Sequence, residues 1–147
     1  MFDEHYSPCM TQRLDSRLTA ISPTVLSVFR IVFGLIFLFE GFSKILGWPV
    51  DRTTPAFTWP IWYAGILELV LGTLITLGLF TRIAAFFASG EMAFAYFSQH
   101  VEKSFWPIAN GGELAVALCF GFLLLVFTGG GALAVDALRS HGPAAGT

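Results

Sequence analysis

Four long apolar stretches, separated by short polar segments, dominate the hydropathy pattern of the chain. Each approaches the roughly 20 apolar residues that a helix needs to cross the hydrocarbon core of a bilayer. Because a segment in lipid must satisfy its backbone hydrogen bonds internally, each stretch is predicted to be a helix. The predicted helices cover residues 24–46, 60–80, 82–99 and 112–135.

The segment before the first stretch has its own helical pattern, with charged residues between regularly spaced apolar ones. The apolar residues are Met10, Leu14, Leu18 and Ile21. This pattern is typical of a short amphipathic helix on the membrane surface, and a disordered tail is the alternative. Ser22 followed by Pro23 is typical of an N-cap and a first helical position, so we expect a separate spanning helix to begin at Thr24.

Composition also indicates a membrane protein. Hydrophobic residues make up 55% of the 147 residues and charged residues 12%, whereas soluble domains carry about a quarter charged residues. The net charge of -2 and the lack of a basic cluster argue against a nucleic-acid partner. We therefore predict an all-α integral membrane four-helix bundle in the lipid bilayer, preceded by a short interfacial amphipathic helix. Its parts are a cytoplasmic tail with that helix (1–23), the transmembrane domain (24–138) and a disordered tail (139–147).

The distribution of basic and aromatic residues predicts the orientation of the chain in the cell membrane. With the N-terminus inside, the inner flanks of the helices hold Arg13, Arg17, Arg82 and Arg139, and the outer flanks hold Arg52 and Lys103. This bias favours a multi-pass protein with both termini in the cytoplasm. The tryptophans all fall on the predicted outer side, as an interfacial aromatic belt requires: Trp48, Trp59, Trp62 and Trp106.

Charged residues occur within the predicted helices, where each costs about 2.5–3.5 kcal/mol at the bilayer centre. In the first helix, the bases Arg30 and Lys44 share a stripe with two glycines; in the second, Glu68 lies on a glycine stripe; in the third, Glu91 lies on an alanine stripe. Small residues let membrane helices approach closely, so the stripes should be contact faces. The acids and bases of separate helices are therefore predicted to meet inside the bundle.

Helix direction predicts a polar cluster near the outer end of the bundle. Its members are Glu40, Lys44, Glu68, Glu91, His100, Asn110 and Glu113, with Arg30 nearer the inner face. Glu68 is the candidate proton-exchanging, catalytic group, and Asn110 and Glu113 are expected to line the mouth. At least one acid should be protonated, because neutralising a buried acid costs less than burying it charged. For Glu40, a purely local pairing with Lys44 is an alternative.

Metal and dithiol chemistry are disfavoured by the sequence. Di-iron bundles use a Glu-x-x-His motif on two helices, and none of the four helical glutamates has a histidine three residues later. Cys9 and Cys119 are too far apart in the sequence for a CxxC motif. No metal site is therefore predicted.

Four segments resemble, in order, the four helices of the DoxX family. They read "FRIVFGLIFLFEGFSKI", "GILELVLGTLITLGLFTRIAA", "NGGELAVAL" and "GGGALAVDAL", within about residues 26–138. The matching residues are Arg30, Gly34, Gly41, Lys44, Glu68, Gly72, Gly78, Arg82, Asn110, Glu113, Gly129, Gly131 and Asp136. Members are small four-helix membrane proteins, and the resemblance implies a link to quinone-dependent oxidoreductase complexes.

The resemblance and the charged residues together predict a redox-linked, quinone- or quinol-associated subunit with a buried polar site on the outer side. A quinone is the expected ligand, with no covalently bound cofactor, and oxidoreductase subunits are the expected partners. Two alternatives remain open: a non-catalytic scaffold or assembly subunit, and a small-solute transporter, which would require a homo-oligomer because four helices are few for alternating access.

Overall fold

The computed structural model describes residues 8–140, with side chains for residues 12–139, and every regular element in this range is a helix. The helices are α1 (Pro8–Leu46), α2 (Ile61–Leu77), α3 (Thr81–Ala95), α4 (Pro107–Asn110), α5 (Glu113–Thr128) and α6 (Val135–Ser140). A π-helical turn, Tyr96–His100, extends α3. The all-α prediction is confirmed, and the predicted disorder of the C-terminal tail lies largely outside the described residues.

The predicted break before Thr24 is wrong, because α1 is one helix that includes Pro23. A proline inside a helix removes one backbone hydrogen bond, but here the helical pattern continues in phase on both sides of it. The carbonyl of Pro23 accepts hydrogen bonds from Ser27 Oγ at 2.9 Å and from the backbone N–H of Ala132 at 3.1 Å. The amphipathic segment is therefore the exposed first part of α1, not a separate helix.

The helices differ in their capacity to cross a bilayer. Within the described part of the chain, Gln12–Leu46 alone is both long and apolar enough to cross a membrane. Helices Ile61–Leu77 and Glu113–Thr128 are apolar but shorter. The predicted fourth helix ends at Thr128 rather than near Val135, because Gly129 and Gly131 adopt positive φ angles of 81° and 77°.

Close packing between α1 and α2 depends on glycines. A Cβ at Gly72 would lie 2.8 Å from the backbone N of Leu38, and one at Gly41 would lie 2.9 Å from the carbonyl O of Gly65. The two backbones can approach this closely only because neither glycine has a side chain. The prediction that these small-residue stripes are contact faces is confirmed.

One hydrophobic core joins the four long helices. Phe37 from α1, Ile75 from α2, Ala88 from α3 and Phe122 from α5 are fully buried within it. The Phe37 and Phe122 rings meet edge to face, with centroids 4.9 Å apart. Helices α3 and α5 are also joined by Ser89 Oγ, which donates to the Cys119 carbonyl at 2.9 Å.

The two ends of the molecule differ in chemistry. The tryptophan end is formed by residues 47–60 and 101–112, where three exposed tryptophans lie: Trp48, Trp59 and Trp106. The glycine end is formed by residues 78–80 and 129–134. There, Asp136 caps α3: its carboxylate accepts from the N–H groups of Phe80 at 2.9 Å and Thr81 at 2.8 Å.

Candidate functional site

An ion pair between two helices lies near the tryptophan end. The Lys44 ammonium on α1 contacts Oε1 of Glu68 on α2. Glu68 is 1% exposed, and its other oxygen, Oε2, has no hydrogen-bond partner. The prediction that acids and bases of separate helices meet inside the bundle is confirmed by this pair. The open carboxylate oxygen leaves one position at which a ligand or a water can donate a hydrogen bond.

Glu40 has a different partner from the one that the local alternative assigned. Its Oε2 lies 3.2 Å from Nη1 of Arg52, while Lys44 pairs with Glu68. The local pairing of Glu40 with Lys44 is therefore wrong. Arg52 is held near the end of α1 by the backbone, since its N–H donates to the Ser43 carbonyl at 3.4 Å.

Arg52 belongs to the site, although its position in the sequence indicated only that it lies on the outer flank of the first helix. It lies in the loop after α1, and nothing in a sequence states how far a loop folds back over a helix. The available signal was that a base within the tryptophan-rich segment follows shortly after the acid Glu40.

Two adjoining cavities of about 270 and 280 Å³ surround these charges, and we call them together the polar chamber. Both are lined by Glu40, Lys44, Arg52, Ala95 and His100. The first reaches Glu68 and is closed by Met92 and Leu118. The second extends past Ile61 to Phe94. Charged groups therefore face a concave space with apolar walls, which is typical of a small-molecule site.

His100 is fixed in position at the chamber wall. Its Nδ1 lies 3.2 Å from the carbonyl O of Asn110, and its ring stacks on Tyr96 with centroids 6.3 Å apart. If Nδ1 donates to that carbonyl, Nε2 is the acceptor nitrogen of a neutral ring. An imidazole held in this way can accept or donate a proton at the chamber.

Asn110 and Glu113 were expected to line the mouth of the site, but neither lines the polar chamber. The Asn110 side chain is buried and donates to the Ser104 carbonyl at 2.7 Å, while its Oδ1 accepts from Gly112 N–H at 2.7 Å. Asn110 therefore holds the loop before α5. Glu113 is exposed on the first turn of α5. Neither is among the residues that line the chamber, where Gly111 lies instead.

Glu91 lies on α3 beside the ion pair, with both carboxyl oxygens buried and without a hydrogen-bond partner. It is close enough to Glu68 and Lys44 to interact with their charges. It does not line the chamber but belongs to the wall of a neighbouring apolar groove between α2 and α3. Lys44 thus interacts with the charges of two acids: Glu68, which is buried, and Glu91, whose carboxyl oxygens are buried.

Arg30 lies at the glycine end, as the sequence indicated. The guanidinium is 1% exposed and donates to carbonyls on two segments. Nη1 contacts the carbonyls of Ile75, at 2.6 Å, and Thr76 at the end of α2. Nε donates to Gly130 at 2.8 Å and Nη2 to Leu133 at 3.3 Å. Arg30 therefore caps α2 and fixes the glycine loop, far from the chamber.

A metal centre is not formed by the part of the chain that the structure describes. Among the side chains that the structure describes, residues 12–139, no group of three or more His, Cys, Asp or Glu is placed to hold a metal ion. The chemistry available to the chamber is therefore that of an ammonium, a guanidinium, carboxyl groups and an imidazole.

Comparison with known proteins places this chain in a family. The sequence profile of the DoxX family matches residues 25–101, a range that holds both partners of the Lys44–Glu68 pair, Glu91 and His100. An uncharacterized protein of Haemophilus influenzae is 44% identical over 127 residues, which covers 82% of this chain and 95% of the relative. No solved structure matches the chain significantly.

A more distant relative supports a membrane location. A protein of Mycobacterium tuberculosis, described as an uncharacterized membrane protein, is 29% identical over 132 residues. The match covers 78% of this chain and 80% of the relative. Together with the apolar exterior and the long apolar helix, these matches indicate that the protein is a membrane protein and that it belongs to the DoxX family.

Proposed function

We propose that this protein is a redox-linked membrane subunit whose polar chamber binds the oxygen-bearing head of a quinone or quinol. The observation that carries the proposal is the Lys44–Glu68 pair, because Glu68 is buried at a cavity with one carboxylate oxygen unpartnered. A purely structural ion pair is expected to have its remaining lone pairs satisfied within the protein. An unpartnered carboxylate oxygen on a residue that lines a cavity is available to a bound ligand or an exchanging proton.

The residues present fit such a ligand. Lys44 has three donor hydrogens, so it can donate to a ligand oxygen while it keeps its contact with Glu68. Glu68 can accept a hydrogen bond from a hydroxyl, and His100 can hold or release a proton at the chamber wall. A bound quinone would supply the two-electron, two-proton chemistry, and these side chains would bind it and carry its protons.

The proposal includes an arrangement in the membrane. We propose that α1, α2, α3 and α5 cross the bilayer, with the tryptophan end outside and both termini in the cytoplasm. Positive charges at the glycine end support this orientation, since Arg82 and Arg139 lie there and Arg13 and Arg17 lie on the first part of α1. Exposed tryptophans at the opposite end are consistent with an outer interfacial belt. Electrons would come from partner oxidoreductase subunits.

Binding of a quinone head to the purified protein tests the proposal. The protein is placed in nanodiscs of phosphatidylcholine and titrated with the tail-less headgroup of ubiquinone, with tryptophan quenching and calorimetry as readouts. Lys44→Met and Glu68→Gln should each weaken binding at least about tenfold, because a hydrogen bond to a charged group contributes about 1.5–3 kcal/mol. Glu113→Gln is the matched control, since that acid is exposed and outside the chamber.

Two results would contradict the proposal. In one, the headgroup does not bind the wild-type protein at all. In the other, Glu68→Gln and Glu113→Gln bind it equally well. Loss of partner subunits from the Glu68→Gln protein, with redox activity that only follows protein level, would instead support the scaffold alternative.

A further inference from the structure

An apolar groove of about 390 Å³ lies between α2 and α3 beside the polar chamber. Leu67 and Leu71 form its wall on α2, and Phe86, Gly90 and Phe94 form its wall on α3. Leu67, Phe86 and Phe94 are exposed, so in a bilayer the groove would open toward the lipid chains. Its lining is suited to a hydrocarbon chain and not to a polar solute.

The groove and the chamber meet at one residue. Phe94 lines both the groove and the cavity that contains Lys44 and His100. Glu91, one turn earlier on α3, supplies the one carboxyl group among the residues of the groove wall. Its oxygens are buried and have no partner in the protein. The apolar groove and the polar cavity thus share one wall residue, and an unpartnered carboxyl group lies one turn from it.

Gly90 keeps the groove open. A Cβ at Gly90 would meet no atom within 4 Å, so helix packing does not require glycine at this position, unlike Gly41 and Gly72. Glycine within a helix is less stable than alanine by roughly 0.5–1 kcal/mol. Packing against neighbouring atoms therefore does not require a glycine here, and a larger side chain would occupy the groove.

We infer that the groove is the lateral access route and tail site for the ligand of the chamber. The apolar chain of a quinone lies between α2 and α3, its head enters the chamber past Phe94, and the Glu91 carboxyl group hydrogen-bonds a head oxygen at the passage. This inference rests on the proposed function. The ligand is then amphiphilic, because a polar head without an apolar chain would leave the groove empty.

Two probes separate the groove from the chamber. Decylubiquinone has a head and a chain, whereas the tail-less headgroup can use only the chamber. Gly90→Leu fills the groove from α3, and Leu67→Trp fills it from α2, so the result does not depend on one variant folding. Ala117→Leu, on the exposed face of α5, is the matched control for added bulk. Each protein is titrated with both probes in phosphatidylcholine nanodiscs.

We expect Gly90→Leu and Leu67→Trp to weaken decylubiquinone binding at least about tenfold and to leave headgroup binding unchanged, with Ala117→Leu like wild type. Unchanged decylubiquinone binding in both groove variants would overturn the inference while the proposed function stands. Equal loss of both probes would also overturn it, since the groove would then not be specific for the chain. If neither probe binds the wild-type protein, the proposed function and the inference both fail, and the groove holds a lipid chain only.

Discussion

The Lys44 ammonium and the Glu68 carboxylate join α1 to α2 at a point where Glu68 is 1% exposed. The pair lies beside one of the close backbone contacts between the two helices, since a Cβ at Gly41 would lie 3.0 Å from Glu68 Cβ. Helix packing and site chemistry are therefore linked: the glycine allows the approach, and the approach brings the base to the acid.

Loss of Lys44 should destabilise the protein more than loss of both partners. Lys44→Met leaves the Glu68 carboxylate buried and unpaired, which is expected to lower the free energy of unfolding by about 3–5 kcal/mol. Lys44→Met combined with Glu68→Leu removes both charges and should recover most of that loss. A double-mutant cycle in detergent, followed by circular dichroism during denaturation, measures the coupling. A coupling energy near zero would contradict this account of the pair.

Arg30 should be the basic residue on which stability depends most. Arg30→Met removes donors from four carbonyls at the end of α2 and in the glycine loop, and the expected loss exceeds about 3 kcal/mol. Arg82→Met is the control at the same end, since Arg82 is exposed, and it should change stability by no more than about 0.5 kcal/mol. Thermal unfolding in detergent compares the two. Equal losses of stability in the two variants would mean that the hydrogen bonds from Arg30 to the carbonyls contribute little to stability.

Low pH should weaken the N-terminal cap that Asp136 forms on α3. Partial burial by itself raises the pKa of Asp136, but hydrogen bonds from Thr81 and Phe80 outweigh it and hold the pKa below its ordinary value. Because the folded-state pKa is the lower one, the stabilisation is fully present above the ordinary value of about 4 and is lost as the pH falls below it.

The corresponding variants are Asp136→Ala and Asp136→Asn. The alanine variant should lose about 1 kcal/mol at neutral pH, and the asparagine variant less, because asparagine also caps helices. Stability measured from neutral pH down to about pH 3 should fall less steeply in both variants than in the wild type. Parallel pH profiles for all three proteins would show that the carboxylate does not contribute in this way.

Two glycines should respond in opposite directions to the same added methyl group. Gly72→Ala places a Cβ 2.8 Å from the Leu38 backbone N, so it should separate α1 from α2 and destabilise the protein by about 1–3 kcal/mol. Gly90→Ala meets no atom within 4 Å and should stabilise α3 by up to about 1 kcal/mol. Denaturation midpoints of the two variants, compared with wild type, give the signs. Destabilisation by Gly90→Ala would show that the space beside Gly90 is not open.

Helix positions and contact faces were largely predictable because they depend on local periodicity. Glycines and charges spaced by three and four residues identified the buried faces of α1 and α2 correctly, including Glu68. Helix ends were less predictable. Ser22 and Pro23 have the residue types of a helix start, yet α1 continues through them. The carbonyl of Pro23 also accepts a hydrogen bond from Ala132, which is distant in the sequence.

Which charged residues form ion pairs within the site could not be predicted from the sequence. Lys44 lies one turn from Glu40, and the spacing alone favours that local pair, but the close approach of α2 brings Glu68 to Lys44 and the folded loop brings Arg52 to Glu40. Asn110 and Glu113 face the predicted end of the bundle, but backbone groups in the preceding loop occupy the Asn110 amide, and Glu113 points outward.

The all-helical, apolar character of the protein and the acids and bases on its helix contact faces could be predicted from composition and from spacing along one helix, while the DoxX family was indicated only by a resemblance to its motifs. Three features depend on the folded arrangement: which charged residues pair, the capping of α2 by Arg30, and the position of Glu91 beside an apolar groove. These depend on the distance between helices. That distance is set by how closely the glycine backbones approach each other and by where the loops fold.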